Sequence, residues 1–114
     1  MLPSNQIRIR EFQDASGKSP FASWFDKLNP RAAAKVTVAL TRLEQGNTSN
    51  VKSVGSGVHE LRIDHGPGYR IYFGRQGNEL IILLCGGTKA RQRKDIETAK
   101  LRWSEFKTRK RKGY

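Results

Sequence analysis

A single cysteine, Cys85, rules out an internal disulfide and suits a reducing compartment. Two histidines, His59 and His65, show no paired metal-ligand spacing with each other or with that thiol, so neither a zinc site nor a cofactor is expected. No apolar run approaches the roughly 20 residues of a membrane-spanning helix. Met1 to Phe12 also lacks the apolar core of a signal peptide. A soluble, cytoplasmic protein with no membrane partner is the expectation. Acidic residues are scarce: 10 Asp and Glu stand against 22 Lys and Arg, a formal charge of +12. A field of that sign draws polyanions, nucleic acid first and an anionic membrane or acidic protein next.

What is present fits one domain spanning residues 1–114, with a single modest core. Before and including Gly57 there are 8 basic and 4 acidic residues, and after it 14 and 6, so the second half carries most of the positive bias. Gln6 to Phe12 alternates, with Ile7 and Ile9 opposite Arg8 and Arg10, as in an edge strand guarded by charge. Ser19-Pro20 and Asn29-Pro30 each place a capping side chain before a proline that fits the first helical position. The first is followed by Phe21, Trp24, Phe25 and Leu28, and the second by Ala33, Val36, Leu40 and Leu43, both at helical spacing and the second closed by Gly46. They predict a helical hairpin. Asn47 to Gly57, rich in Ser, Asn and Gly, predicts a surface loop.

From Val58 the period becomes two. Leu61 and Ile63 form one strand, and Tyr69, Ile71 and Phe73 the next, across a turn at His65-Gly66-Pro67-Gly68. Leu80 to Cys85 is a continuous apolar run suited to a central strand. A last helix should begin near Thr88, with Ile96, Ala99, Trp103 and Phe106 inward. The basic tail, residues 107–114, should fray. The order β-α-α-β-β-β-α reads as α+β: an antiparallel sheet with an N-terminal helical hairpin, a C-terminal helix, and the helices on one face.

Two features point to chemistry. With Ile63 set opposite Ile71, Arg62 lies across from Tyr72 and Asp64 across from Arg70, so Arg62, Arg70 and Tyr72 gather on the face away from the helices. In Lys89 to Lys94, four of six residues are cationic at a helix entrance, where the dipole disfavours positive charge. Solvated charge on an ordinary sheet explains any one of these residues equally well. Together they suit a bound phosphate chain that relieves the crowding.

The stretches Glu60-Leu61-Arg62, Gly68-Tyr69-Arg70-Ile71-Tyr72-Phe73 and Gly86-Gly87-Thr88-Lys89, with Asp95-Ile96 and Ala99, resemble the RelE/ParE toxin superfamily. More closely, they resemble its HigB-like "addiction module killer protein" branch of bacteria and phages. The resemblance runs from about Ile7 to Phe106. It implies a type II toxin held by a co-expressed antitoxin, a helix-turn-helix protein, in an oligomeric complex. It also implies a metal-independent endoribonuclease that cuts mRNA in the ribosome. Arg62 and Arg70 match strand arginines that hold RNA phosphates, while Lys89, Arg91 and Arg93, with the adjoining Lys94, match a basic segment that tracks the RNA backbone. Better-known members carry a catalytic Tyr or a His-Tyr-Asp group near the chain end, where this chain has only Tyr114.

Cleavage requires a base for the ribose 2′-hydroxyl, cations for the phosphate and an acid for the leaving oxygen. The expected assignment gives the phosphate to Arg62 and Arg70, and the leaving group to Lys89. Tyr72 is expected to orient or deprotonate the 2′-hydroxyl, its pKa lowered by the arginines in the direction a base needs. His59 should face the core, while His65 in the turn lies within possible reach of substrate. Two other functions stay open: a ParE-like inhibitor of DNA gyrase without nuclease chemistry, and a non-toxic phage or regulatory nucleic-acid-binding protein. An acidic antitoxin segment would find a counterpart in Lys107 to Lys112.

Overall fold

The computed structural model describes residues 7–113. Met1 to Gln6 and Tyr114, including the first residue of the expected N-terminal strand, lie outside the described residues. The elements are β1 (Arg8–Glu11), α1 (Pro20–Phe25), α2 (Pro30–Glu44), β2 (Val51–Gly55), β3 (Val58–Ile63), β4 (Tyr69–Gln76), β5 (Leu80–Thr88), a 3-10 turn (Lys89–Arg91) and α3 (Gln92–Arg111). Both expected caps form: Ser19 Oγ accepts the Ala22 N–H at 3.0 Å, and Asn29 Oδ1 accepts that of Ala32 at 2.9 Å.

The architecture is α+β, with a five-stranded sheet in the order β1-β5-β4-β3-β2. Three features depart from the sequence-based expectation. The sheet is mixed, because the edge strand β1 runs parallel to β5 with Arg8 beside Leu80 and Glu11 beside Leu83. A parallel neighbour needs a long connection, and α1, α2 and three strands lie between these two in the chain.

Secondly, the expected loop contains β2, which pairs antiparallel with β3 from Val51 opposite Leu61 to Gly55 opposite Val58. Its only apolar side chains are Val51 and Val54, too few for a clear alternation in a solvated edge strand. The local signal is the turn that closes it. Ser56 and Gly57 both have positive φ, 57° and 80°, as a two-residue hairpin that follows the strand twist requires.

Thirdly, helices cover both faces. α1 and α2 pack on Leu61, Ile63, Tyr69, Ile71, Phe73, Ile81 and Leu83. α3 seals the opposite side, where Ala99 and Trp103 meet Val58, Tyr72, Ile82 and Leu84. The unbroken apolar run of β5 is the sequence counterpart, since alternate residues bury themselves under different helices. Gly74 on β4 makes this second layer fit: a Cβ there would fall inside the Trp103 indole.

Two ends also differ. The 3-10 turn shifts the start of α3 to Gln92, and Thr88 caps that turn without a side-chain hydrogen bond. At the other terminus the basic run continues as helix to Arg111 rather than fraying. Arg109 Nη1 donates to the Gln13 carbonyl at 2.6 Å, and Lys110 Nζ to Gln76 Oε1 at 2.7 Å. These contacts hold the tail against β1 and the β4–β5 hairpin.

Candidate nucleic-acid interface

The site is set by the register of β3 and β4. Ile63 lies opposite Tyr69 and Leu61 opposite Ile71, a pairing two residues tighter than expected. The turn closes within Asp64–Gly68, where the Gly68 N–H donates to the His65 carbonyl at 3.0 Å. A shift of two preserves every residue's face and changes every partner. Arg62 therefore lies opposite Arg70, and Glu60 opposite Tyr72. Two guanidinium-bearing residues directly across a ladder repel. Something must offset that cost.

β5 brings a third cation. Tyr69 pairs with Thr88 and Arg70 with Gly87, and the Lys89 N–H then donates to the Gly68 carbonyl at 2.8 Å. Lys89 is thereby fixed beside the β3–β4 turn. The neighbouring β2 contributes Lys52, opposite Glu60. The result is a groove of about 620 Å³ lined by Lys52, Arg62, His65, Arg70, Lys89 and Gln92, with Asp64 on its wall. Among the described residues, Arg62 and Lys89 join none of the three ion pairs, which are Lys52–Glu60, Arg70–Glu60 and Arg109–Glu105.

Tyr72 is not in this groove. It is fully buried beneath α3 and donates its hydroxyl to Glu60 Oε2 at 3.1 Å. Burial, with the Glu60 carboxylate as the next cause, raises its pKa well above the ordinary phenol value. That is opposite to the expected lowering: the face was taken as open, the arginines as the tyrosine's neighbours. The neighbour across the ladder is instead an acid, and the lid is a helix. Three side chains were expected to meet, and only Arg62 and Arg70 do. Arg91, Arg93 and Lys94 are exposed on the 3-10 turn and the first turn of α3, outside the groove lining.

Behind Arg70 and Gln92, which line the groove, lies a buried polar network that periodicity alone does not reveal. Glu60 is 0% exposed and Arg70 6%. Glu60 Oε2 accepts from Tyr72 and, at 2.7 Å, from Gln92 Nε2. Its Oε1 has no hydrogen-bond partner among the described residues, lying 3.8 Å from Arg70 Nε and 3.9 Å from Lys52 Nζ. Lys52 was hidden by the missed strand, Gln92 by its cationic neighbours. Glu60 had a legible signal: an acid on an even position of β3, the face shared with Tyr72.

Other titratable groups fall elsewhere. His59, as expected, is structural: it stacks on Phe73 with ring centroids 5.4 Å apart, and burial followed by the Arg75 charge lowers its pKa. Burial pushes the Cys85 thiol up to about 12, which leaves it un-ionised and poorly nucleophilic. A larger groove of about 1050 Å³ lies by β1, between α1 and the end of α3. Its walls mix Glu11, Asp26 and Glu44 with Arg10, Arg109 and Lys110, so it offers a polyanion no consistent sign of charge.

Residues 23–104 match the family model described as phage-derived protein Gp49-like (DUF891). The chain belongs to this family. Gp49-like proteins form a RelE-like family associated with toxin–antitoxin systems. The matched span holds every lining residue of the cationic groove and leaves out β1. A Haemophilus influenzae relative, described as an uncharacterized protein, is 54% identical over 82 residues, which are 71% of this chain and 83% of its own. No helix among the described residues is long and apolar enough to cross a membrane.

Proposed function

We propose that this Gp49-like protein is a HigB-like toxin of a type II toxin–antitoxin pair that cleaves mRNA in the ribosomal decoding site. A cognate antitoxin, of the helix-turn-helix kind, silences it in the cytoplasm. One observation carries the reading: β2, β3, β4 and the 3-10 turn each deliver a cation to the same groove, and Arg62 and Lys89 there join no ion pair among the described residues. Like charges forced together at a cost suit a phosphate chain that neutralises them.

In this scheme the ribose 2′-oxygen attacks the adjacent phosphorus, the P–O5′ bond breaks, and a 2′,3′-cyclic phosphate remains. Arg62 and Arg70 hold the non-bridging oxygens as charge builds on them. Lys89 gives the departing 5′-oxygen its proton. The proton of the 2′-hydroxyl goes to His65, which replaces Tyr72 in that role. Its imidazole lines the groove, half-buried, with its ring 6.3 Å from that of Tyr69. Imidazoles suit proton transfer near neutrality better than a buried phenol does. Arg91, Arg93 and Lys94 track the RNA or ribosomal RNA backbone beyond the groove. Holding the message in the decoding site supplies geometry, and orientation of that kind is worth roughly 7–11 kcal/mol.

Toeprinting of ribosomes after induction tests this. Cuts within translated messages are expected, and Arg70→Ala should reduce them by about 10²–10³-fold, the usual loss for one transition-state donor. A folded Arg70→Ala protein that still cuts would remove the groove from the reaction. Growth arrest with DNA-damage signalling and intact messages would point instead to gyrase.

A further inference from the structure

Glu60 is an odd residue to find buried behind the cations of a phosphate site. A carboxylate there opposes the very anion the groove attracts, and its burial is costly unless its oxygens are well satisfied. Only one of them is. Oε2 takes two hydrogen bonds, from Tyr72 and Gln92, while Oε1 has none among the described residues and lies between Arg70 Nε and Lys52 Nζ. A buried ion pair at 3.8 Å without a hydrogen bond adds little to folding. It does hold a direction.

Arg70 is steered from two sides. Its Nη1 donates to the Tyr69 carbonyl at 3.2 Å, and its Nε, which also lacks a hydrogen-bond partner among the described residues, faces Glu60 Oε1. The planar guanidinium is thus set by a backbone carbonyl at one corner and a fixed negative charge at another. Glu60 in turn cannot swing, because donors from β4 and α3 hold its other oxygen. We infer that Glu60 is a positioning residue, anchored by Tyr72 and Gln92, which aims the Arg70 guanidinium into the groove for an RNA phosphate; this depends on the phosphate-binding reading above. Tyr72 acts through Glu60 and does not itself meet the substrate.

Coulombic attraction and positioning predict opposite signs for one substitution, which makes the inference testable. Glu60→Gln removes a negative charge from a basic groove, so charge alone would tighten anion binding. If Glu60 aims Arg70, binding weakens instead. The probe is a short 2′-O-methyl oligoribonucleotide, which cannot be cut, titrated into the full-length protein at fixed salt. Glu60→Gln should bind roughly tenfold more weakly, the scale of one charge-assisted contact. The Arg70 Nε–H NMR resonance should shift in the same variant. Tyr72→Phe, which keeps the carboxylate and loosens its anchor, should weaken binding by a smaller factor and move the same resonance.

A folded Glu60→Gln protein that binds as tightly as the parent, or more tightly, overturns the inference. Should that variant fail to fold, Tyr72→Phe decides: unchanged affinity with an unmoved Arg70 resonance overturns it equally. Arg62→Ala separates the two levels. If Arg62→Ala leaves affinity intact, the groove is not the RNA site. If Arg62→Ala weakens binding while Glu60→Gln does not, the groove stands and the positioning role falls.

Discussion

The C-terminal helix covers two unlike floors. Towards its middle, Ala99 and Trp103 lie on Val58, Gly74, Ile82 and Leu84, an apolar seam closed to water. At its start, Gln92 bonds Glu60, which also meets Tyr72 and Arg70; these three are as deeply buried but polar, and the groove opens beside them. The same helix on the same face thus serves two ends. Apolar burial favours folding wherever it occurs, whereas buried charge must be matched partner by partner and is incompletely matched here. Stability should therefore reside in the first floor and recognition in the second.

Substitutions in each floor can break that division. Trp103 is nearly fully buried, stacked on Phe106 at 5.4 Å, and fills the space left by Gly74. Trp103→Ala should cost about 3–5 kcal/mol in denaturant unfolding, the range for removing a large aromatic from a core. The fraction still folded should bind RNA as the parent does; a loss confined to binding would mean the two floors are not separate. Tyr72→Phe keeps the ring that packs with Trp103 and Ala99 and removes only the hydroxyl that meets Glu60. Loss of one hydrogen bond to a buried carboxylate should cost about 1–3 kcal/mol. Cleavage should fall only a few-fold. A fall of about 10²–10⁴-fold, with RNA affinity preserved, would restore Tyr72 as the proton acceptor.

The apolar residues of the first floor were legible in the sequence, though not the face of the sheet they cover, whereas the second floor was not legible, for a physical reason. Trp103, Ala99 and Ile96 repeat at helical spacing, and a continuous β5 announces burial on both sides. Apolar periodicity reports the hydrophobic effect, which is additive and non-directional. The second floor depends on register. An even pairing sum kept Arg62, Arg70 and Tyr72 on one face, yet the two-residue difference exchanged Tyr72 for Arg70 opposite Arg62. Which face the last helix covers was equally out of reach of local pattern, and it decided whether the phenol met water or α3. Lys52 was lost with β2, a strand of two valines whose pairing is supplied by its neighbour rather than by its own propensity. That Arg62 and Arg70 share a face of the sheet follows from strand alternation, which a shift of two residues leaves unchanged.

Between the floors sits Asp95, in the first turn of α3 against Gly87, where a Cβ would collide with its carboxylate. Its position favours the helix dipole, but its Oδ2 is buried without a hydrogen-bond partner among the described residues. Burial raises its pKa above 3.8, against the lowering influence of Arg91, Arg102 and Lys94. A carboxyl whose folded pKa is raised binds protons more readily folded than unfolded. Its ionisation therefore subtracts from stability above the folded pKa, and that penalty fades as pH falls through the raised value towards 3.8. Asp95→Asn should accordingly raise the thermal midpoint slightly at neutral pH, with the advantage shrinking on acidification into the carboxylate range. Unfolding followed across that range checks the sign. An advantage that grows as the pH is lowered, or a loss at neutral pH, would mean that the dipole and the cations outweigh burial, and the boundary would then belong to the polar floor.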